Sequence, residues 1–132
     1  MNRPCILFVD DEPHILNGYR DLLWKERKQW DMAFACGGAQ ALTEMERKPY
    51  AVVISDMQMP RMDGSELLKE VSERHPNVVR LLLTGEASRD AILRSMPVAH
   101  EFLSKPCSSV ALRSAIERAC KHIGNELEGR FP

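Results

Sequence analysis

Few residues of this chain have the types and spacing to do chemistry: Asp10 and Asp11, followed by Glu12, then Asp56, Thr84 and Lys105. Carboxylates brought close together repel one another strongly where the local dielectric is low, so such a cluster requires a positive partner. A hard divalent cation with oxygen ligands fills that role, and Mg²⁺ usually takes one or two carboxylates together with waters and phosphate oxygens. The hydroxyl of Thr84, the ammonium of Lys105 and backbone amides beside the Cβ-free Gly85 add the parts that hold a tetrahedral anion in phosphoryl transfer. A carboxylate can also act as nucleophile towards phosphorus, giving an aspartyl phosphate. Taken singly, each residue has an ordinary structural role. The acids before Pro13 can complement a helix dipole, Thr84 can bond local backbone, and Asp56 and Lys105 can be solvated charges. Convergence on one site is what would make them a constellation.

Convergence depends on the elements that carry them. Residues 5–9 and 51–54 are short unbroken apolar runs and, with the largely apolar 78–83, predict strands buried on both faces. Residues 32–36 and, more weakly, 100–104 complete a set of five strands. Pro13 suits the first turn of a helix in which Ile15, Leu16, Tyr19, Leu22 and Leu23 form one apolar stripe. Gly37 and Gly38 break the chain before a helix carrying Ala41, Leu42 and Met45. Gly64 opens another, with Leu67, Leu68 and Val71 on one face, ended by His75-Pro76-Asn77. A short helix spans 89–95 and stops before Pro97, and the last begins at Ser108 and Ser109, good N-cap types, and keeps its period through Leu112, Ile116, Ile123 and Leu127. This alternation predicts an α/β fold: a flavodoxin-like, doubly wound five-stranded parallel sheet of order 2-1-3-4-5 with five helices on both faces. Ligands of such sheets bind beyond the carboxyl ends of the strands, between the first and third. There the first strand ends in Asp10-Asp11 and the third in Ser55-Asp56.

With these residues in place, a resemblance follows. Asp10-Asp11, Asp56 within Asp56-Met-Gln-Met-Pro-Arg-Met-Asp-Gly64, Thr84 and Lys105-Pro106 resemble, in order and spacing, the defining set of response-regulator receiver domains over nearly the whole chain. The resemblance implies that Asp56 is a phosphoacceptor charged by a sensor histidine kinase or a phosphotransfer protein. It implies a Mg²⁺ (or Mn²⁺) ion held by Asp11 directly, Asp10 mainly through water, Asp56, and the backbone carbonyl of Gln58. Thr84 and Lys105 would each meet a phosphoryl oxygen, with the Lys105–Pro106 bond cis. Phe102 would be the switch residue moving with Thr84, altering the face built by the fourth helix, fifth strand and last helix, which could also mediate a homodimer. Gln58 and Glu86 occupy the positions that tune how readily water reaches the phosphoryl group. Residues 97–100 and Lys105-Pro-Cys107 are similar to receivers joined to phosphohydrolase-related output domains.

Composition fits one soluble cytoplasmic domain: 132 residues, 18 basic and 19 acidic side chains, and a formal net charge of −1. That balance gives no basis for direct nucleic-acid binding. No run is long and apolar enough for a membrane span, and no signal peptide is expected. Cys5, Cys36, Cys107 and Cys120, like the four histidines, lack metal-ligand spacing and read as free thiols. Met57, Met59 and Met62 read as loop packing, and Trp24 and Trp30 as core or edge packing. The receiver is expected over residues 1–123, with 124–132 a polar tail or the start of a linker to an output domain. A haloacid-dehalogenase-like phosphatase is disfavoured, because Gln58 stands where that chemistry needs a second acid. So is a receiver that is never phosphorylated, since every expected group is present.

Overall fold

The structure, a computed structural model, describes residues 3–85 and 89–129, and over 122–129 the backbone only. Glu86, expected beside the site, lies outside the described residues. The elements run β1 (Cys5–Asp10), α1 (Pro13–Leu22), a 3-10 turn (Trp24–Glu26), β2 (Asp31–Cys36), α2 (Gly38–Arg47), β3 (Val52–Asp56), α3 (Gly64–Arg74), β4 (Val79–Thr84), α4 (Arg89–Ser95), β5 (Glu101–Ser104) and α5 (Ser109–Gly129). All five strands are parallel, in the order β2-β1-β3-β4-β5. The doubly wound fold expected from the alternation is the one observed.

Strand alternation divides the core in two. Ile6, Phe8, Ile54, Leu81 and Leu83 face α1 and α5, where they pack with Leu16, Leu112 and Ile116. Leu7, Val9, Val53 and Leu82 face α2, α3 and α4 and meet Leu42, Leu67 and Leu68. With both faces covered, the interior strands β1, β3 and β4 are apolar at most positions, which is why they read as largely apolar runs, Arg80 in β4 being a charged exception. The edge strands β2 and β5 are only partly buried and read more weakly.

Helix ends follow local chemistry. Pro13 occupies the first turn of α1. Asp63 caps α3 through a reciprocal box: its Oδ1 accepts the Glu66 N–H at 2.8 Å, and Glu66 Oε1 accepts the Asp63 N–H at 2.9 Å. Ser108 Oγ accepts the Ala111 N–H at 3.1 Å at the start of α5.

Several boundaries differ from the sequence expectation. β1 extends to Asp10, because β2 pairs with it through Cys36 and the Gly37 N–H bonds the Asp10 carbonyl. β3 begins at Val52 rather than Ala51 and takes in Ser55 and Asp56; β4 begins at Val79, since Val78 closes a turn on His75, and includes Thr84. His100 precedes β5 instead of opening it. Its N–H donates to the Arg80 carbonyl, while its Nδ1 accepts the Arg80 N–H at 2.9 Å. Arg80 is itself buried, and its guanidinium donates to the carbonyls of Val98 (2.6 Å), Val78 (3.1 Å) and Pro76 (3.4 Å), joining the turns at both ends of this region. Trp30 is buried, but Trp24, expected to pack in the core or at its edge, is 53% exposed, with the Arg27 guanidinium 4.3 Å above its ring. Leu22 is likewise exposed at the end of α1. Met57 and Met59 are buried in loop packing, as expected. All four cysteines are free.

Candidate functional site

The expected acids meet at the carboxyl rim of the sheet. Asp10 ends β1, Asp11 follows it, and Asp56 ends β3 on the neighbouring strand. One carboxylate oxygen from each lies within 4.8 Å of the other two. Asp10 is 1% exposed; its Oδ1 accepts the Glu12 N–H at 3.0 Å, while its buried Oδ2 has no hydrogen-bond partner among the described residues. Burial in this low-dielectric corner pushes the Asp10 carboxyl up to about 6, and the nearby Asp56 and Asp11 charges push in the same direction against the opposing pull of the Glu12 amide and Lys105. A buried carboxylate oxygen without a donor beside two further carboxylates is a donor set for a hard cation, and the all-oxygen ligands fit Mg²⁺ rather than a softer metal.

Positive charge reaches the same point from β5. Lys105 follows that strand, its N–H bonds the Thr84 carbonyl at 2.8 Å, and its Nζ lies 2.6 Å from Asp56 Oδ1. The Lys105–Pro106 peptide bond is cis. This charge-assisted contact fixes the position of the Asp56 carboxylate, an oxygen nucleophile in type. Thr84 ends β4 one strand away, buried, with its hydroxyl donating to the Leu103 carbonyl at 3.5 Å, so in this conformation it is turned towards β5. Phe102 pairs in register with Leu82 and is half-buried against the α2–α3–α4 side of the core. Gln58 is exposed in the loop between β3 and α3. At Gly85 an added Cβ would meet no atom within 4 Å among the described residues beyond its chain neighbours, so the backbone there borders open space.

Three neighbours were given no site role from the sequence. Gly64 packs so closely that a Cβ would stand 2.4 Å from the Asp56 carbonyl and 2.6 Å from Leu82 Cδ1. Its N–H also bonds the Met57 carbonyl at 2.8 Å, and Met57 N–H bonds Leu83. Asp63-Gly64, a capping acid followed by glycine, was the available signal for this close approach. Cys36 is exposed at the end of β2, its Sγ 3.3 Å from the Asp11 carbonyl. Tyr19 lines an apolar groove of about 650 Å³ beside the site, between His14, Ile15 and Leu22 on one side and Lys105 and Cys107 on the other. Burial raises the Tyr19 phenol, and the Asp10 and Asp56 charges raise it further.

The sequence profile of the response regulator receiver domain matches residues 6–117. The transcriptional regulatory protein GlrR of Escherichia coli (strain K12) is 33% identical over 127 residues, which are 96% of this chain and 28% of GlrR. The DNA-binding transcriptional regulator NtrC of the same strain is 30% identical over 135 aligned positions, 98% of this chain and 28% of NtrC. The chain thus spans between a quarter and a third of the length of these relatives. Among solved structures, the signal receiver domain of an HD domain-containing protein from Pseudomonas fluorescens Pf-5 superposes with a TM-score of 0.88 at 31% identity, covering 94% of this chain and 99% of that one. A CheY-like receiver from Methanospirillum hungatei JF-1 gives a TM-score of 0.88 at 25% identity, covering 95% and 99%. Mg²⁺ binding at an acidic pocket and phosphorylation of an aspartate are typical of such domains, which are signalling modules rather than classical enzymes. By profile, relatives and fold, the chain belongs to the response regulator receiver domains of two-component systems.

Proposed function

We propose that this receiver is written at Asp56 by a sensor histidine kinase or phosphotransfer protein. The observation that carries the reading is the Asp56–Lys105 contact at 2.6 Å beside the Asp10–Asp11 pair. An Asp56 oxygen forms the new O–P bond as the P–N bond to the donor imidazole breaks and its electron pair returns to the ring nitrogen. Lys105 and the Thr84 hydroxyl bind phosphoryl oxygens, Thr84 turning away from Leu103 to do so. Asp11, Asp56 and the Gln58 carbonyl, with Asp10 through water, hold the Mg²⁺ or Mn²⁺ ion, which neutralises charge on the acceptor and the phosphoryl group. Gln58 and Glu86 influence water access and so the lifetime of the phosphorylated state, including its self-catalysed hydrolysis.

Turning of Thr84 leaves space that Phe102 fills, which changes the α4–β5–α5 face. That face carries exposed Ile92, Leu93, Met96 and Val110, apolar side chains suited to a homodimer or a downstream protein. We read residues 1–123 as the receiver and 124–132 as the start of a linker, with the α5 backbone continuing to Gly129. The greater length of GlrR and NtrC, and the match to the receiver of an HD domain-containing protein, support an attached output domain. No helix among the described residues is long and apolar enough to cross a membrane, in keeping with a cytoplasmic setting.

Incubation with Mg²⁺ and acetyl phosphate should add one phosphoryl group to the wild-type chain and none to Asp56→Asn. Intact-protein mass spectrometry reads both, and equal labelling of the variant would move the acceptor elsewhere.

A further inference from the structure

The seven-residue helix α4 touches the acceptor loop at both ends of that loop. Ser95, fully buried at the end of α4, bonds the Ala91 carbonyl at 2.8 Å and lies 4.0 Å from the sulfur of Met57, the residue after Asp56. At the other end of the loop, Arg94 Nη1 lies 3.4 Å from Asp63 Oδ2. Asp63 is already committed through Oδ1 to the cap of α3, so Arg94 grips the same carboxylate that sets where α3 begins. The next residue, Gly64, is in contact with the Asp56 backbone, with no room for even a Cβ between them. Close packing of this kind transmits displacement instead of absorbing it. Beyond α4, the Ser95 carbonyl accepts the Val98 and Ala99 N–H groups, and buried Arg80 holds the Val98 carbonyl, so the carboxyl end of the helix has a fixed footing.

We propose that Arg94 is a positioning residue: through Asp63 it holds the start of α3, and hence the Asp56 loop, in the geometry that accepts phosphate, giving α4 a route to the site separate from Thr84 and Phe102. This rests on the reading of Asp56 as acceptor. Because coupling is reciprocal, a partner that draws Arg94 away from Asp63 changes phosphorylation, and phosphorylation changes affinity for that partner.

The test measures the rate of Asp56 labelling by acetyl phosphate at saturating Mg²⁺ in the full chain, together with the melting temperature. Asp63→Asn keeps an N-cap type while removing the charge, and Arg94→Ala removes the other partner. Each single variant should label about two- to fivefold more slowly, the range open to a part-exposed ion pair. The double variant should be no slower than either single, Arg94→Lys should restore most of the rate, and the differences should collapse near ~1 M salt, where charges are screened within about 3 Å. Labelling of both singles at the wild-type rate would overturn the proposal, as would effects that multiply in the double variant or track the melting temperature alone. Absence of labelling in the wild-type chain is a different failure, because it removes the acceptor reading itself.

Discussion

At the scale of single residues, Asp10 is the most burdened side chain in the site. It is buried, holds one backbone bond and leaves a second oxygen unpartnered among the described residues. Its carboxyl titrates near 6 in the folded protein against an ordinary 3.8, so the folded state binds the proton more tightly than the unfolded chain does. The stabilising contribution is therefore complete below the ordinary value and disappears as pH rises through about 6. Metal-free protein should lose stability across that interval, and Asp10→Asn should flatten the slope and raise the melting temperature at neutral pH while weakening Mg²⁺ binding. Thermal melts at pH 4.5, 6 and 7.5 without Mg²⁺ (on the order of the interval that the shift defines) and calorimetric Mg²⁺ titration would check each half. A melting temperature lower than wild type for Asp10→Asn at neutral pH would contradict the desolvation argument.

At the scale of elements, the junction of β3 with α3 is a tight fit against Asp56. Gly64→Ala must displace the Asp56 carbonyl or Leu82, and overpacking of this kind costs about 1–3 kcal/mol. Gly85→Ala, whose new methyl meets open space, should leave folding stability nearly unchanged and serves as the control. Urea denaturation of the two variants compares them directly. The contrast also shows what was legible in the sequence. Asp10, Asp11, Asp56, Thr84 and Lys105 could be placed because each sits at or just past a strand end, and strand ends follow from apolar runs and topology. The Gly64–Asp56 approach, the Arg94–Asp63 pair and the rotation of Thr84 towards Leu103 depend on how separate elements lean together, which no local pattern records. Trp24 shows the same gap: helical spacing marked its neighbourhood as apolar, and only the turn after α1 decides that this ring faces solvent beneath Arg27.

At the scale of the whole molecule, the site exists only when the fold does. Its carboxylates and its ammonium come from the ends of β1, β3 and β5, and no two of those strands are consecutive in sequence. An ion that binds this assembled cluster and not the unfolded chain must stabilise the fold, by about 2.7 kcal/mol at a hundredfold excess over its dissociation constant. The melting temperature should therefore rise with Mg²⁺ concentration and respond far less in Asp11→Asn, as a melting series would show. The carboxyl rim of the sheet has a consequence for the fidelity of information. On the proposed reading of Asp56, a damaged or half-folded copy lacks the juxtaposed Asp56, Lys105 and acid pair and so has no surface on which a message could be recorded. Quality control of the protein and integrity of the message would then be one property of the same five strands.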